Sequence, residues 1–146
     1  MNVYIEFMSQ QEIIKTTGRV LAVAVEHDQT RIWLLQESTR DPLVVVEREA
    51  VHHTHVRGGQ ERHQHASEVN ETPYFADVLS QLEDSSHIVL MGHGSGNSNT
   101  ASRLVEYANK HLPQIKDRII TADPVDFSAL SNGQLLALAM DVWERQ

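Results

Sequence analysis

The chain has 146 residues, no cysteine and a formal net charge of −8, and 40% of its residues are hydrophobic. This length suits one domain with its own core, and the lack of cysteine excludes disulfides, thiolate metal sites and cysteine nucleophiles. The charge excludes a broad electrostatic attraction to nucleic acid, and no signal-peptide pattern or apolar run of about 20 residues is present, so we expect a soluble cytoplasmic protein without a membrane partner.

Residues 1–47 predict an N-terminal arm followed by an antiparallel meander. Residues 1–18 contain a short alternating apolar run, which predicts an added edge strand or an arm of a homo-oligomer. Residues 19–26 form a nearly continuous apolar run, typical of a strand buried on both faces. Polar turn residues separate this run from two further apolar runs, at 31–36 and 43–47, which predict the second and third strands.

The rest of the chain predicts alternating helices and strands after a flexible loop at about 48–71. Thr72 and Pro73 are typical of a helix start, and apolar residues then recur at helical spacing through Leu82. Further strands are expected at 87–91 and 118–122, with a helix between them and a last helix at 128–143. These elements predict one α/β domain over residues 19–146, with a ribonuclease-H-like mixed five-stranded sheet and the first strand beside the fourth.

A metal-dependent nuclease is not expected, although the predicted fold is shared with ribonuclease H. Such an enzyme needs several carboxylates on the central strand and at the end of the fourth strand. The central strand here offers Ala22 and Ala24, and the fourth strand ends in glycine and histidine. The acidic residues at the strand ends are interpreted as turn and capping residues: Glu26, Asp28, Asp123 and Asp126.

The glycine-rich turn after the fourth strand allows two interpretations. Free backbone N–H groups at a helix N-terminus attract anions, which predicts a phosphate or nucleotide site. The alternative is a tight strand-to-helix connection with Ser98 or Asn99 as the N-cap. The residues predicted to bind an anion are Gly92, Gly94, Gly96 and Ser98.

Five histidines lie close together in the chain: His52, His53, His55, His63 and His65. Histidines two residues apart in extended chain point the same way, so His53, His55, His63 and His65 are candidate ligands for Zn²⁺ or Ni²⁺. The alternatives are a solvated loop, a loop that changes charge near neutral pH, or a surface for self-association. No other cofactor is expected.

The triplet Gly58-Gly59-Gln60 lies in the predicted loop between the third strand and the first helix. Two glycines open backbone conformations that are closed to other residues, and a glutamine side chain both donates and accepts hydrogen bonds. With this triplet after Arg57, the strand and turn at 87–94 and the closing segment at 126–131, residues 19–143 resemble a known family. The resemblance is to the middle, Gly-Gly-Gln domain of eukaryotic and archaeal class I peptide-chain release factors, and to their stand-alone bacterial relatives, the bacterial archaeo-eukaryotic release factor group.

The resemblance implies hydrolysis of the ester between peptide and tRNA in the ribosomal peptidyl transferase centre, without a metal or cofactor. Gln60 would position the attacking water, and Gly58 and Gly59 would permit the necessary backbone geometry. Arg57 and Arg62 would contact RNA, and the partners would be the ribosome or tRNA. Placement of water suits this reaction because an activated ester needs placement and charge stabilisation more than a strong base.

The residues after the triplet differ from the arginine-rich helix of the release factors. Arg62 is accompanied by several acidic residues: Glu61, Glu68, Glu71, Asp77, Glu83 and Asp84. This charge opposes tight docking on ribosomal RNA. We also expect no counterpart of the codon-reading and GTPase-contacting domains, so the resemblance leaves three alternatives to the reading of a stop codon: rescue of stalled ribosomes, action with a partner, or loss of the activity.

Overall fold

A computed structural model of the chain describes residues 16–37, 40–48, 61–94 and 99–146, with residues 61–70 described as backbone. The strands are β1 (Val20–Val25), β2 (Gln29–Leu34), β3 (Val44–Glu47), β4 (His87–Gly92) and β5 (Ile119–Thr121). The helices are α1 (Glu61–Leu82), α2 (Thr100–His111) and α3 (Asn132–Glu144), and 3-10 helices cover Pro113–Arg118 and Phe127–Ala129. The predicted N-terminal arm lies almost entirely outside the described residues and stays a prediction.

The five strands form one mixed sheet in the order β3-β2-β1-β4-β5. The strands β1, β2 and β3 pair antiparallel, so the predicted meander is confirmed. β4 pairs parallel to β1, with Val20 opposite His87, and β5 pairs parallel to β4. The predicted fold class, a mixed five-stranded sheet with the first strand beside the fourth, is therefore confirmed.

The central position of β1 follows from its sequence, since all six of its residues are buried. Alternate side chains of a strand point to opposite faces of the sheet, so β1 contributes to two hydrophobic cores. Leu21, Val23 and Val25 pack with side chains of α1 and α2. Ala22 and Ala24 pack with α3 on the other face, where their small size leaves room for Trp33. The sheet therefore lies between two helices on one face and one helix on the other.

The first helix begins at Glu61 rather than at Thr72, where the sequence signals had placed its start. Pro73 lies inside α1, where it cannot donate the hydrogen bond of a helix interior. Proline is also favoured at a helix start, so Thr72-Pro73 in the sequence gives the same signal as a first turn. The preceding residues include glutamate, arginine, glutamine and alanine, which favour helix, and α1 extends through them.

The starts of β2 and α3 also differ from the prediction, each for a local reason. β2 begins at Gln29, because Thr30 pairs with Val25 and is buried rather than in the turn. The last helix was expected from residue 128, but α3 begins after Ser131. There the Ser131 hydroxyl accepts the Gln134 N–H and the Gln134 side chain accepts the Ser131 N–H, a capping box that sets the helix start.

Candidate functional site

The Gly-Gly-Gln triplet lies in the segment that connects β3 to α1. Arg57, Gly58, Gly59 and Gln60 are outside the described residues, so their predicted roles stay predictions. α1 begins at Glu61, the residue that follows Gln60, and Arg62 belongs to its first turn. The described residues therefore show the two elements that flank this segment, the end of β3 and the start of α1, but not the segment itself.

Arg48, the last described residue before this segment, is held by the turn between β1 and β2. Its N–H donates to the Asp28 carbonyl over 2.9 Å. Its guanidinium donates to the His27 carbonyl over 3.2 Å and lies 3.3 Å from His27 Nδ1. The same guanidinium is 5.9 Å from the ring centre of Tyr74, within the range of a cation–π contact. These contacts fix the point from which the connecting segment leaves the sheet.

Tyr74 joins α1 to the start of the same hairpin through two hydrogen bonds, of which the one to Thr30 is buried. Its hydroxyl donates to the Glu26 carbonyl over 2.9 Å. The hydroxyl proton is then used, so Thr30 is the donor in the 2.6 Å bond between its Oγ1 and the Tyr74 oxygen. Burial raises the pKa of Tyr74 to about 12, so the phenol is neutral at physiological pH.

Arg31 links β2 to α3 and neutralises the carboxylate at the end of β1. Its guanidinium donates to Glu26 Oε2 over 2.8 Å and to Asn132 Oδ1 over 2.7 Å. It also lies 5.8 Å from the ring centre of Trp33 and 5.6 Å from that of Phe127. Glu26 is thus a partner of a half-buried cation. The only signal for this cluster in the sequence is a charged residue next to an apolar strand run.

An open cleft of about 850 Å³ lies at the carboxyl ends of the parallel strands β1 and β4. His93 lines it, and Nδ1 of its ring accepts the Phe127 N–H over 3.2 Å. Nδ1 also lies 3.9 Å from Asp126 Oδ1, but it is already an acceptor, so this contact is not an ion pair. Its ring centre is 5.7 Å from that of Phe127. The imidazole therefore fastens the segment after β5 to the end of β4.

Asp126 caps the short helix Phe127–Ala129, as its interpretation as a capping residue predicts. Its Oδ1 accepts the Ser128 hydroxyl over 2.6 Å and the Ser128 N–H over 3.1 Å. These two hydrogen bonds stabilise the carboxylate and hold the pKa of Asp126 below its usual value of 3.8. The residue closes a turn and, in this arrangement, needs no further partner.

The glycine-rich turn is a strand-to-helix connection capped by Asn99, one of the two predicted caps. Asn99 Oδ1 accepts the N–H groups of Ala101 and Ser102, over 2.8 and 3.3 Å. A Cβ at Gly92 would meet the Asn99 amide and, at 2.8 Å, the Ala101 Cβ, so this position has no room for a side chain. Gly94 has a φ of +82°, a conformation that favours glycine.

The cap also bears on the predicted anion site, because it uses two of the N–H groups that an anion would meet. Gly92 and Gly94 belong to the described turn, whereas Gly96 and Ser98 lie outside the described residues. Anion binding at these four residues stays a prediction.

The predicted metal ligands are divided between two parts of the chain. His53 and His55 are outside the described residues, and His63 and His65 are backbone positions in α1. The prediction assumed that His63 and His65 lie in extended chain, where residues two apart point the same way, but both lie in the helix α1. In the part of the chain that the structure describes, no group of three or more His, Cys, Asp or Glu side chains could hold a metal ion. Zinc or nickel binding by the histidines stays a prediction.

Two solved structures are similar to this chain over nearly its whole length. The Pelota protein of Archaeoglobus fulgidus matches with a TM-score of 0.48 at 11% sequence identity, over 97% of this chain and 39% of its own. The Pelota protein of Thermoplasma acidophilum matches with a TM-score of 0.45 at 16% identity, over 99% of this chain and 44% of its own. The chain thus spans less than half the length of either structure.

The remaining comparisons give no relative. No protein-family model matches the sequence, and no curated protein matches it. Among the described residues, none of the helices is both long enough and apolar enough to span a membrane.

Proposed function

We propose that this chain is a release-factor-like domain that acts in translation, in the cytoplasm, by promoting hydrolysis of the peptidyl-tRNA ester on stalled ribosomes. One observation carries the proposal. Gly58-Gly59-Gln60 lies between the third strand and the first helix of a fold with the five-stranded sheet that the resemblance implies. The triplet alone is short, and its position in this topology is what gives it weight.

In the proposed reaction the chain positions a water molecule against the ester and supplies no strong base. Gln60 orients a water molecule against the ester carbonyl through its backbone N–H, and its side chain helps to place the reacting group. Gly58 and Gly59 allow the backbone to adopt the required geometry. The ester is activated, so stabilisation of the developing negative charge accelerates its hydrolysis without a metal ion. Arg57 and Arg62 contribute phosphate contacts on either side of the triplet.

Two features of the described residues that flank the Gly-Gly-Gln segment support the proposal. Arg48 is held by the hairpin turn and by the Tyr74 ring, so the segment leaves the sheet at a defined point. On the other side, Gln60 is followed directly by α1, whose first N–H groups have no partner within the helix and carry a partial positive charge. That charge is favourable near an oxyanion.

A peptide-release assay tests the proposal. Purified ribosomes that carry labelled peptidyl-tRNA and are stalled without a stop codon are incubated with the full chain, and released peptide is measured. We expect release by the native protein and a loss of release in the Gln60→Ala variant, because the side chain that helps to place the reacting group is gone. The backbone N–H remains in this variant, so the loss should be smaller than the roughly hundredfold typical of a removed donor. Gln64→Ala, which removes a second glutamine four residues further on in α1, is the matched control and should retain release.

Two results would contradict the proposal: no release by the native protein, or equal release by Gln60→Ala.

The alternative from the sequence is a non-catalytic module whose histidines bind Zn²⁺ or Ni²⁺ or mediate self-association. Calorimetric titration with each metal measures that binding directly. If the proposal holds, release should be unchanged by a zinc-selective chelator, because no metal takes part in the reaction.

A further inference from the structure

A second open cleft, of about 1040 Å³, lies on the outer side of α3, away from α1 and α2. Its floor is an apolar strip on α3 formed by Leu136, Ala137 and Met140. Residues three and four positions apart share one helix face, so these side chains form a continuous surface. Met140 is 40% exposed and, with Val45, one of two large hydrophobic residues exposed to that degree in the described ranges.

The rim of this α3 cleft is acidic on both sides. Glu37 and Asp41 come from the segment between β2 and β3, and Asp141 and Glu144 come from the last turns of α3. Arg40 is the one basic residue among the described lining residues. Asp141 is paired with Arg145 at 2.9 Å, whereas among the described residues neither Glu37 nor Glu144 has an ion-pair partner.

We propose that the α3 cleft docks a basic segment of a partner protein, one that inserts apolar side chains over Met140 and places lysine or arginine against the acidic rim. A flexible methionine adapts to the shape of an inserted side chain, which suits it to this position. Complementary charge on the rim steers the encounter and fixes its orientation. The site does not depend on the proposed ester hydrolysis, because it uses no residue of the Gly-Gly-Gln segment.

The charge of the cleft favours this occupant over three others. Nucleic acid is repelled because the four carboxylates of the rim outnumber the two guanidinium groups beside them, those of Arg40 and of Arg145, which pairs with Asp141. In a symmetric dimer through this face, the same acidic rim would meet itself, which is unfavourable. Residues 1–15 of the chain carry two glutamates and one lysine, so they do not offer the complementary positive charge.

The test is fluorescence anisotropy of the full chain with a labelled amphipathic peptide of leucine and lysine, about 14 residues or roughly four helical turns long. Its leucines recur every three to four residues, and a peptide with glutamate in place of lysine is the charge control. We expect saturable binding of the lysine peptide and none of the glutamate peptide. Met140→Asp and the double variant Glu37→Lys/Glu144→Lys should each weaken binding about tenfold or more.

The matched control is Glu106→Lys/Asp117→Lys, which makes the same change in net charge at exposed positions of α2 and the following 3-10 helix. Affinity in that variant should stay within about twofold of the native value, because the positions face away from the cleft. Equal loss in both double variants, no loss in Met140→Asp or no binding by the native chain overturns the proposal. Peptide binding seen only after deletion of residues 1–15 would also overturn it, because that result assigns the cleft to the chain's own N-terminal residues. Self-association that Met140→Asp abolishes would overturn it too, because that result assigns the cleft to a second copy of the chain.

Discussion

The imidazole Nδ1 of His93 accepts a hydrogen bond from the backbone N–H of Phe127 over 3.2 Å. The two residues are 34 positions apart, and the bond joins the carboxyl end of β4 to the short helix that precedes α3. An accepting Nδ1 means that the ring carries its proton on Nε2. Phe127 is buried, and among the described residues the His93 ring is the partner of its backbone N–H.

Replacement of His93 should therefore destabilise the fold through one lost hydrogen bond. We expect His93→Ala to lower the free energy of unfolding by about 1 kcal/mol, the usual net value of such a bond. His93→Asn should lose less, because the asparagine carbonyl oxygen can take the place of Nδ1 as acceptor. Urea denaturation of the two variants measures the difference, and equal losses would show that the ring packs but does not accept.

Ser128 should control the acidity of Asp126. The hydroxyl and the N–H of Ser128 hold the pKa of Asp126 below 3.8, and Ser128→Ala removes the larger of these contributions. We expect the pKa of Asp126 to rise toward 3.8 in that variant, as measured by NMR titration of the carboxyl group. Ser131→Ala, which removes a hydroxyl that caps α3 and does not contact Asp126, should leave this pKa where it is in the native protein.

The sign of the pH dependence follows from the lowered pKa. A carboxylate with a folded-state pKa below its unfolded value contributes stability above the unfolded pKa and loses it as pH falls through the folded pKa. For Asp126 the loss takes place below pH 3.8. Stability measured downward from that pH should fall less steeply in Ser128→Ala than in the native protein.

The sheet could be predicted from the sequence because its signals are local and redundant. A short, valine-rich apolar run such as Val20–Val25, followed by polar turn residues, favours a strand buried on both faces. Helix starts were harder, because several residues near a start give similar signals. Pro73 suits a first turn yet lies inside α1, and the serine that caps α3 is Ser131 rather than a residue near 128.

The side-chain clusters around the hairpin could not be predicted, because their partners are distant in the chain. Arg31 donates to Asn132, 101 residues away, and Tyr74 bonds Thr30 across 44 residues. No periodicity or spacing connects such pairs before the fold is known. The Gly-Gly-Gln triplet can be recognised from the sequence for the opposite reason, because it is a contiguous signal that does not depend on tertiary contacts.

The buried hydroxyl of Tyr74 should contribute to stability in addition to the packing of its ring. Tyr74→Phe leaves Thr30 without its acceptor and the Glu26 carbonyl without its donor, so we expect a loss of about 1–3 kcal/mol in the free energy of unfolding. Tyr107→Phe is the matched control, because Tyr107 is half-buried and packs through its ring against Phe75 and His111. The same change there should cost little.

Tyr74 should also make the fold sensitive to alkali. Its pKa of about 12 in the folded protein exceeds the ordinary 10.0, so the unfolded chain releases this proton first. Stability from this group is complete below pH 10 and falls as pH rises from 10 to about 12. Denaturant titrations across this range should show a shallower decline in Tyr74→Phe than in Tyr107→Phe, and parallel declines would contradict the assignment.

Gly92 and Asn99 should depend on each other, since a Cβ at Gly92 occupies the place of the Asn99 amide. We expect Gly92→Ala to destabilise by about 1–3 kcal/mol through overpacking, and Asn99→Ala by about 1 kcal/mol through loss of the N-cap of α2. In the double variant the clash with the amide is gone and the cap is already lost, so the cost should be about 0.5–1 kcal/mol below the sum.

The rescue should be incomplete, because the added Cβ still lies 2.8 Å from the Ala101 Cβ. Gly133→Ala is the control for a glycine that has room: its Cβ would lie 3.7 Å from the flexible Arg40 side chain, within a helix where alanine is preferred. That variant should be neutral or slightly stabilising. Thermal unfolding of all four variants completes the test, and strictly additive costs for Gly92→Ala and Asn99→Ala would show that the cap does not set the need for glycine.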